Sequence, residues 1–139
     1  MNLKEMRDNY IKDGYEHLDA SAKVCQDIIL AKISKSSLNR NITIKGGVVM
    51  HNISKDSRRA TRDLDLDFIK YSLSNESIEN FIDKLNHEES DITIKIIAPI
   101  EELSHQDYNG KRVYIELKDK RHNNIETKID IKVHKNFNI

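Results

Sequence analysis

"IKGGVVMHNISKDSRRATRDLDLDF", residues 44–68, places a glycine pair, a basic segment and a row of acids within one short stretch. Gly46 and Gly47 follow a brief apolar alternation. A polar segment then carries Arg58, Arg59 and Arg62, and after it Asp63, Asp65 and Asp67 alternate with Leu64, Leu66 and Phe68. In a strand alternate side chains share a face, so the aspartates point one way and the apolar residues the other. Like charges on one face repel, at little cost on a solvated face and at a larger one in a cleft. Taken alone, the row reads as the charged outer face of a half-buried strand, with metal binding as the rival. The preceding segment favours the rival. Two glycines between a strand and a short helix let the backbone approach a ligand closely and leave N–H groups free at the helix start, which makes an anion site. Arginines supply further phosphate partners. Carboxylates for Mg²⁺ beside donors for phosphate are what phosphoryl chemistry requires.

Outward from this stretch the periodicities predict alternating helices and strands. Tyr15, Leu18, Ala22, Cys25, Ile29 and Ile33 recur at helical spacing and predict one amphipathic helix over 13–37, with Asp13 as its cap. Residues 41–45 predict a short β-branched strand, and Val48, Val49 and Met50 a short helix after the glycine turn. Residues 63–70 predict a strand. A helix over 75–89 follows, with Asn75 as cap and Ile78, Phe81, Ile82 and Leu85 as inner face. Residues 91–97 predict a strand stopped by Pro99. Residues 111–118 and 125–133 predict an antiparallel hairpin around the charged loop DKRHNN. The sum is an α+β domain, a mixed β-sheet with helices packed on it.

Composition narrows the classes. The chain has 139 residues, enough for one domain with one real core. Its 23 basic and 23 acidic residues cancel, so net charge offers no general attraction for nucleic acid or acidic membranes, although local patches still can. The single cysteine, Cys25, excludes an internal disulfide and reads as a core thiol. The N-terminal stretch is charged and does not read as a signal peptide, and no run approaches the ~20 apolar residues that span a bilayer. A soluble, cytoplasmic protein is the expectation. The six histidines form no ligand spacing, and His51 alone sits beside the proposed site. A P-loop and a G-x-S-x-G elbow are both absent.

The order strand, Lys45-Gly46-Gly47, short apolar helix, then Arg59, Thr61, Asp63 and Asp65 resembles the nucleotidyltransferase-fold toxins of the AbiEii/AbiGii type, within the DNA polymerase β-like nucleotidyltransferase superfamily. The resemblance covers most of the chain as an order of elements, and its specific residues lie between 45 and 67. It implies that Asp63 and Asp65 ligate Mg²⁺, while Lys45, Gly46, Gly47, Arg59 and Thr61 hold the phosphates of an NTP. It also implies a third carboxylate on a later strand, completing a two-metal site and activating the incoming hydroxyl. Asp130 in "KIDIKV" matches the pattern, an acid flanked by aliphatic residues on a strand, and Glu116 and Glu126 are its rivals. Asp67 is an extra acid, read as a supporting or surface charge. The basic residues Lys118, Lys120 and Arg121 read as a solvated hairpin turn, with an RNA-backbone contact as the rival.

The resemblance thus implies Mg²⁺-dependent transfer of a nucleotidyl group from NTP to a hydroxyl of RNA, tRNA included, or of protein, in phage defence or a toxin–antitoxin pair. An antitoxin is then a partner, and no membrane is. The expected organisation is a single domain over 1–139, without the C-terminal helical region that family members usually carry. The alternative is a catalytically inactive or truncated nucleotide-binding module of the same fold.

Overall fold

The chain enters through a helix that the periodicity did not predict. In this computed structural model, which describes residues 2–44, 64–86, 91–104 and 108–134, α1 spans Leu3–Lys12. The Asn2 side chain caps it by accepting from the Glu5 N–H at 2.8 Å. Its stripe of Leu3, Met6 and Tyr10 is narrow, which is why it is faint as a sequence signal. At its end Gly14 takes φ +103°, a conformation suited to glycine. Gly14 N–H donates to the Ile11 carbonyl and Tyr15 N–H to the Tyr10 carbonyl, and the Tyr10 and Tyr15 rings meet edge to face at 5.2 Å. These two bonds and the contact form a Schellman stop. Asp13 therefore closes α1 rather than capping the next helix. That helix, α2, begins four residues later than its pattern predicts and spans His17–Lys35.

The strands are β1 (Ile42–Ile44), β2 (Leu64–Phe68), β3 (Thr93–Ile96), β4 (Glu101–Ser104), β5 (Tyr108–Lys118) and β6 (Asn124–His134), with α3 at Asn75–Asn86. The sheet order is β1-β2-β6-β5-β3, and β4 pairs with the remaining outer edge of β5. Only β2 and β6 run parallel among these pairings, so the sheet is mixed, as expected. The β5–β6 hairpin also forms as expected. β4 was not foreseen, because Glu-Glu-Leu-Ser carries little β propensity of its own. It becomes a strand by pairing Glu101–Ser104 with Asn109–Arg112. Pro99, with no N–H to donate, interrupts what would otherwise be one edge strand. The helix predicted around 48–50 lies outside the described residues.

Alternation decides which way the sheet faces. Leu64, Leu66 and Phe68 on β2, Ile129 and Ile131 on β6, and Val113, Ile115 and Leu117 on β5 are all buried in one cluster with Val24, Cys25, Ile28 and Ile29 of α2 and Ile78, Phe81, Ile82 and Leu85 of α3. Phe68 and Phe81 meet edge to face at 5.4 Å. Burial pushes the Cys25 thiol up to about 12, in keeping with an inert core residue. The cap of α3 is Ser74 rather than Asn75: the Ser74 hydroxyl accepts from the Ser77 N–H at 3.1 Å, while Asn75 Oδ1 accepts from Lys111 Nζ at 2.9 Å.

A buried carboxylate fastens α1 to the far end of the hairpin. Asp119 is 6% exposed and accepts four hydrogen bonds, from the N–H of Leu3, Arg121 and Asn123 and from Asn123 Nδ2, at 2.9–3.0 Å. Burial pushes its carboxyl up, but these donors outweigh that and hold it below the usual carboxylate range. Asp119→Ala is expected to lower the unfolding free energy by about 2–4 kcal/mol near neutral pH, read by urea denaturation. Because the folded-state value is the lower one, the stabilisation is complete above the unfolded-chain value and is lost as pH falls through the folded one. Wild-type stability should thus fall in acid below about pH 4, and the variant's curve should be flatter there.

Candidate functional site

The face of the sheet opposite the apolar cluster carries the charged side chains of the central strands. Because Leu64, Leu66 and Phe68 point into the core, Asp65 and Asp67 point to the other side. On β6 the same alternation buries Ile129 and Ile131 and turns Asp130 and Lys132 to that opposite side. The register then brings acids from distant parts of the chain together. Asp65 pairs directly with Asp130, and Asp67 with Lys132. On the other flank of β6, Arg112 of β5 lies opposite Asp130 and Gly110 opposite Lys132.

Asp130 and Asp65 are each matched by a cation. Arg112 holds Asp130 in a two-pronged contact, Nε to Oδ1 at 2.8 Å and Nη2 to Oδ2 at 3.1 Å. The hydrogen bonds and charge of Asp130 raise the Arg112 guanidinium above its usual value. Arg112 also meets the Tyr114 hydroxyl, and a hydrogen bond to Glu101 on β4 raises that phenol. Lys132 Nζ lies 3.8 Å from Asp65 Oδ1. The Asp130 and Lys132 side chains are 11% and 8% exposed, and those of Asp65 and Arg112 are 31% and 28%, so the row is buried at β6 and reaches solvent at both ends. One oxygen of Asp67, Oδ1, is buried and has no hydrogen-bond partner among the described residues. Of the two readings of Asp67, a supporting or a surface charge, the buried Oδ1 speaks against a fully solvated surface charge.

Of the acids weighed as a third carboxylate, Asp130 is the one beside Asp65. Glu116 and Glu126 pair with each other on the same face, but four residues along β6, roughly 13 Å away. Asp63, Lys45, Gly46, Gly47, Arg59 and Thr61 lie outside the described residues, as do His51, Arg58 and Arg62. Among the described residues no group of three or more His, Cys, Asp or Glu side chains could hold a metal ion. What the described face offers a cation is carboxylate oxygen: the abreast pair Asp65 and Asp130, and the unpartnered Oδ1 of Asp67. Hard oxygen donors of this kind fit Mg²⁺.

Two members of the face were not legible as site residues. Arg112 sits in "KRVYIELK", where nothing local marks it, and only the β5–β6 register sets it against Asp130. Lys132 ends the alternation Glu126, Lys128, Asp130, Lys132, which has the look of a solvated strand face, yet Lys132 is 7% exposed.

The family model described as nucleotidyl transferase AbiEii toxin, of a type IV toxin–antitoxin system, matches residues 28–136. The chain belongs to this family. The match takes in the second half of α2, α3 and every strand of the sheet, so it contains the whole Asp65–Asp130–Arg112 row. α1 lies before it. The fold is accordingly of the nucleotidyltransferase type, and the chain is a toxin nucleotidyltransferase-like domain. Comparison with curated proteins finds no match. Among the described residues, no helix is long and apolar enough to cross a membrane.

Arg112 and Asp130 are expected to act as a unit in stability. Arg112→Met and Asp130→Asn should each lower the urea midpoint, and the double variant should lose clearly less than the two single losses together, because either change alone leaves a half-buried charge unmatched. Strict additivity in this cycle would mean that the pair contributes nothing.

Proposed function

We propose that this domain transfers a nucleotidyl group from an NTP to a hydroxyl of RNA, with tRNA among the acceptors. The observation that carries the reading is the abreast placement of Asp65 and Asp130 within the part of the chain that matches the family model. In the reaction the acceptor oxygen bonds to the α-phosphorus, the bond from the α-phosphorus to the β-phosphate bridge breaks, and pyrophosphate leaves. Asp63, Asp65 and Asp130 would hold Mg²⁺, which when bound neutralises charge developing on the phosphate oxygens. Asp130 would also favour loss of the acceptor hydroxyl proton to solvent. Lys45, Gly46, Gly47, Arg59 and Thr61 would bind and orient the triphosphate, so that the α-phosphorus faces the acceptor. The type IV toxin–antitoxin description supports an antitoxin as partner, and a cytoplasmic, phage-defence setting is part of the same proposal.

Transfer of label from an α-³²P NTP to RNA tests the reading. Asp63→Ala, Asp65→Ala and Asp130→Ala are each expected to lower the rate about a thousandfold or more, with folding unchanged by circular dichroism. Glu126→Gln, on the same face but remote, should keep the wild-type rate. Equal activity in all four variants would overturn the assignment.

A second reading, a nucleotide-binding module without turnover, draws on the fact that Asp65 and Asp130 are already matched by Lys132 and Arg112. Mg²⁺-dependent NTP binding by calorimetry, with no label transfer to any RNA or protein acceptor, would favour it.

A further inference from the structure

We propose that Lys132 is the resident counter-ion of the aspartate face, and that a divalent cation binds by displacing its ammonium from Asp65. The inference rests on the reading of Asp65 as a cation ligand and goes beyond it by naming the group that gives way. Three observations carry it. Lys132 is nearly buried, 7% exposed, on a face where lysine would ordinarily extend into water. Its Nζ lies 3.8 Å from Asp65 Oδ1, and its own register partner on β2 is Asp67. On the β5 side it faces Gly110, which contributes no side chain.

The cations paired with Asp130 and Asp65 are not equivalent. Arg112 grips Asp130 through two short bonds, a geometry that costs much to break. The Lys132–Asp65 contact is longer, and Asp65 is the more exposed of the two acids. Without cations, Asp65, Asp67 and Asp130 would place three negative charges on two adjacent strands, which is costly on a partly buried face. Lys132 relieves that repulsion in the metal-free chain. A divalent cation arriving from solvent reaches Asp65 first, and there it meets the weaker of the two pairings. Both charges cannot occupy the same oxygen, so metal and ammonium exchange while Arg112 keeps Asp130 in place.

Mn²⁺ binding to the full chain, followed by calorimetry at fixed mildly alkaline pH, tests the exchange. Lys132→Met removes the competing charge with little change of volume and is expected to tighten Mn²⁺ binding about tenfold or more. Lys132→Arg keeps the charge and should stay within about threefold of wild type. In the wild-type chain, the Lys132 side-chain ammonium resonance should shift as Mg²⁺ is added, with the midpoint of the binding curve; this readout needs no variant to fold. Unchanged or weaker Mn²⁺ binding in folded Lys132→Met overturns the proposal, as does an ammonium resonance that stays fixed at saturating Mg²⁺. Asp65→Asn separates the two levels. If the wild type binds no Mn²⁺, or Asp65→Asn binds it equally well, the metal reading itself fails. If Asp65→Asn loses binding and Lys132→Met does not gain it, only the exchange fails.

Discussion

The parallel pairing of β2 with β6 is the constraint on which the rest of the structure depends. It sets Leu64 beside Ile129 and Leu66 beside Ile131 on the buried face, and Asp65 beside Asp130 on the other. These strands are 60 residues apart in sequence and reach one another only after α3, β3, β4 and β5 have been laid down. A slip of one residue would turn Asp130 into the core and Ile129 or Ile131 out of it. Four apolar side chains, each at most 6% exposed, therefore hold the register, and the acids inherit their geometry from it. Core packing and site geometry are two sides of the same ladder.

Electrostatics then shapes what the packing has assembled. Among the described residues, Asp65, Asp67, Asp130, Arg112 and Lys132 share a patch spanning β2, β6 and β5, and the contacts within it differ: Arg112 holds Asp130 in a two-pronged contact, while Lys132 lies farther from Asp65. Half-buried acids of like charge are stable together only when such counter-charges are present. The row is thus asymmetric, with the tighter contact toward β5.

The remaining elements support this face at a distance. α1 lies outside the part that matches the AbiEii family model, yet it is not loosely attached. Its first turn is tied to the β5–β6 loop through Asp119, and its side packs on α2, where the Tyr10 hydroxyl donates to Asp27. The hairpin that carries Arg112 and Asp130 is consequently held at its loop end by the N-terminal helix and along its length by the core.

Much of this was legible in the sequence because period and chemistry are local properties. Alternation of Leu64, Leu66 and Phe68 with aspartates fixes which side of β2 is apolar, whatever its neighbours. The spacing of Ile78, Phe81, Ile82 and Leu85 defines the buried side of α3, and the β5–β6 hairpin follows from two alternating runs around a polar loop. Where local signals were weak, the reading went astray. The narrow stripe of α1 predicts no helix over 3–12, the Schellman stop at Gly14 falls inside the helix predicted over 13–37, and Glu101–Ser104 shows no strand character until β5 offers it hydrogen bonds. The adjacency of Asp65 and Asp130, the grip of Arg112, and the burial of Lys132 were beyond any local signal, because each is a relation between strands. Residue type and period determine which face a side chain takes, but which charges become neighbours is decided by strand order and register, and those are set by how the whole apolar face packs.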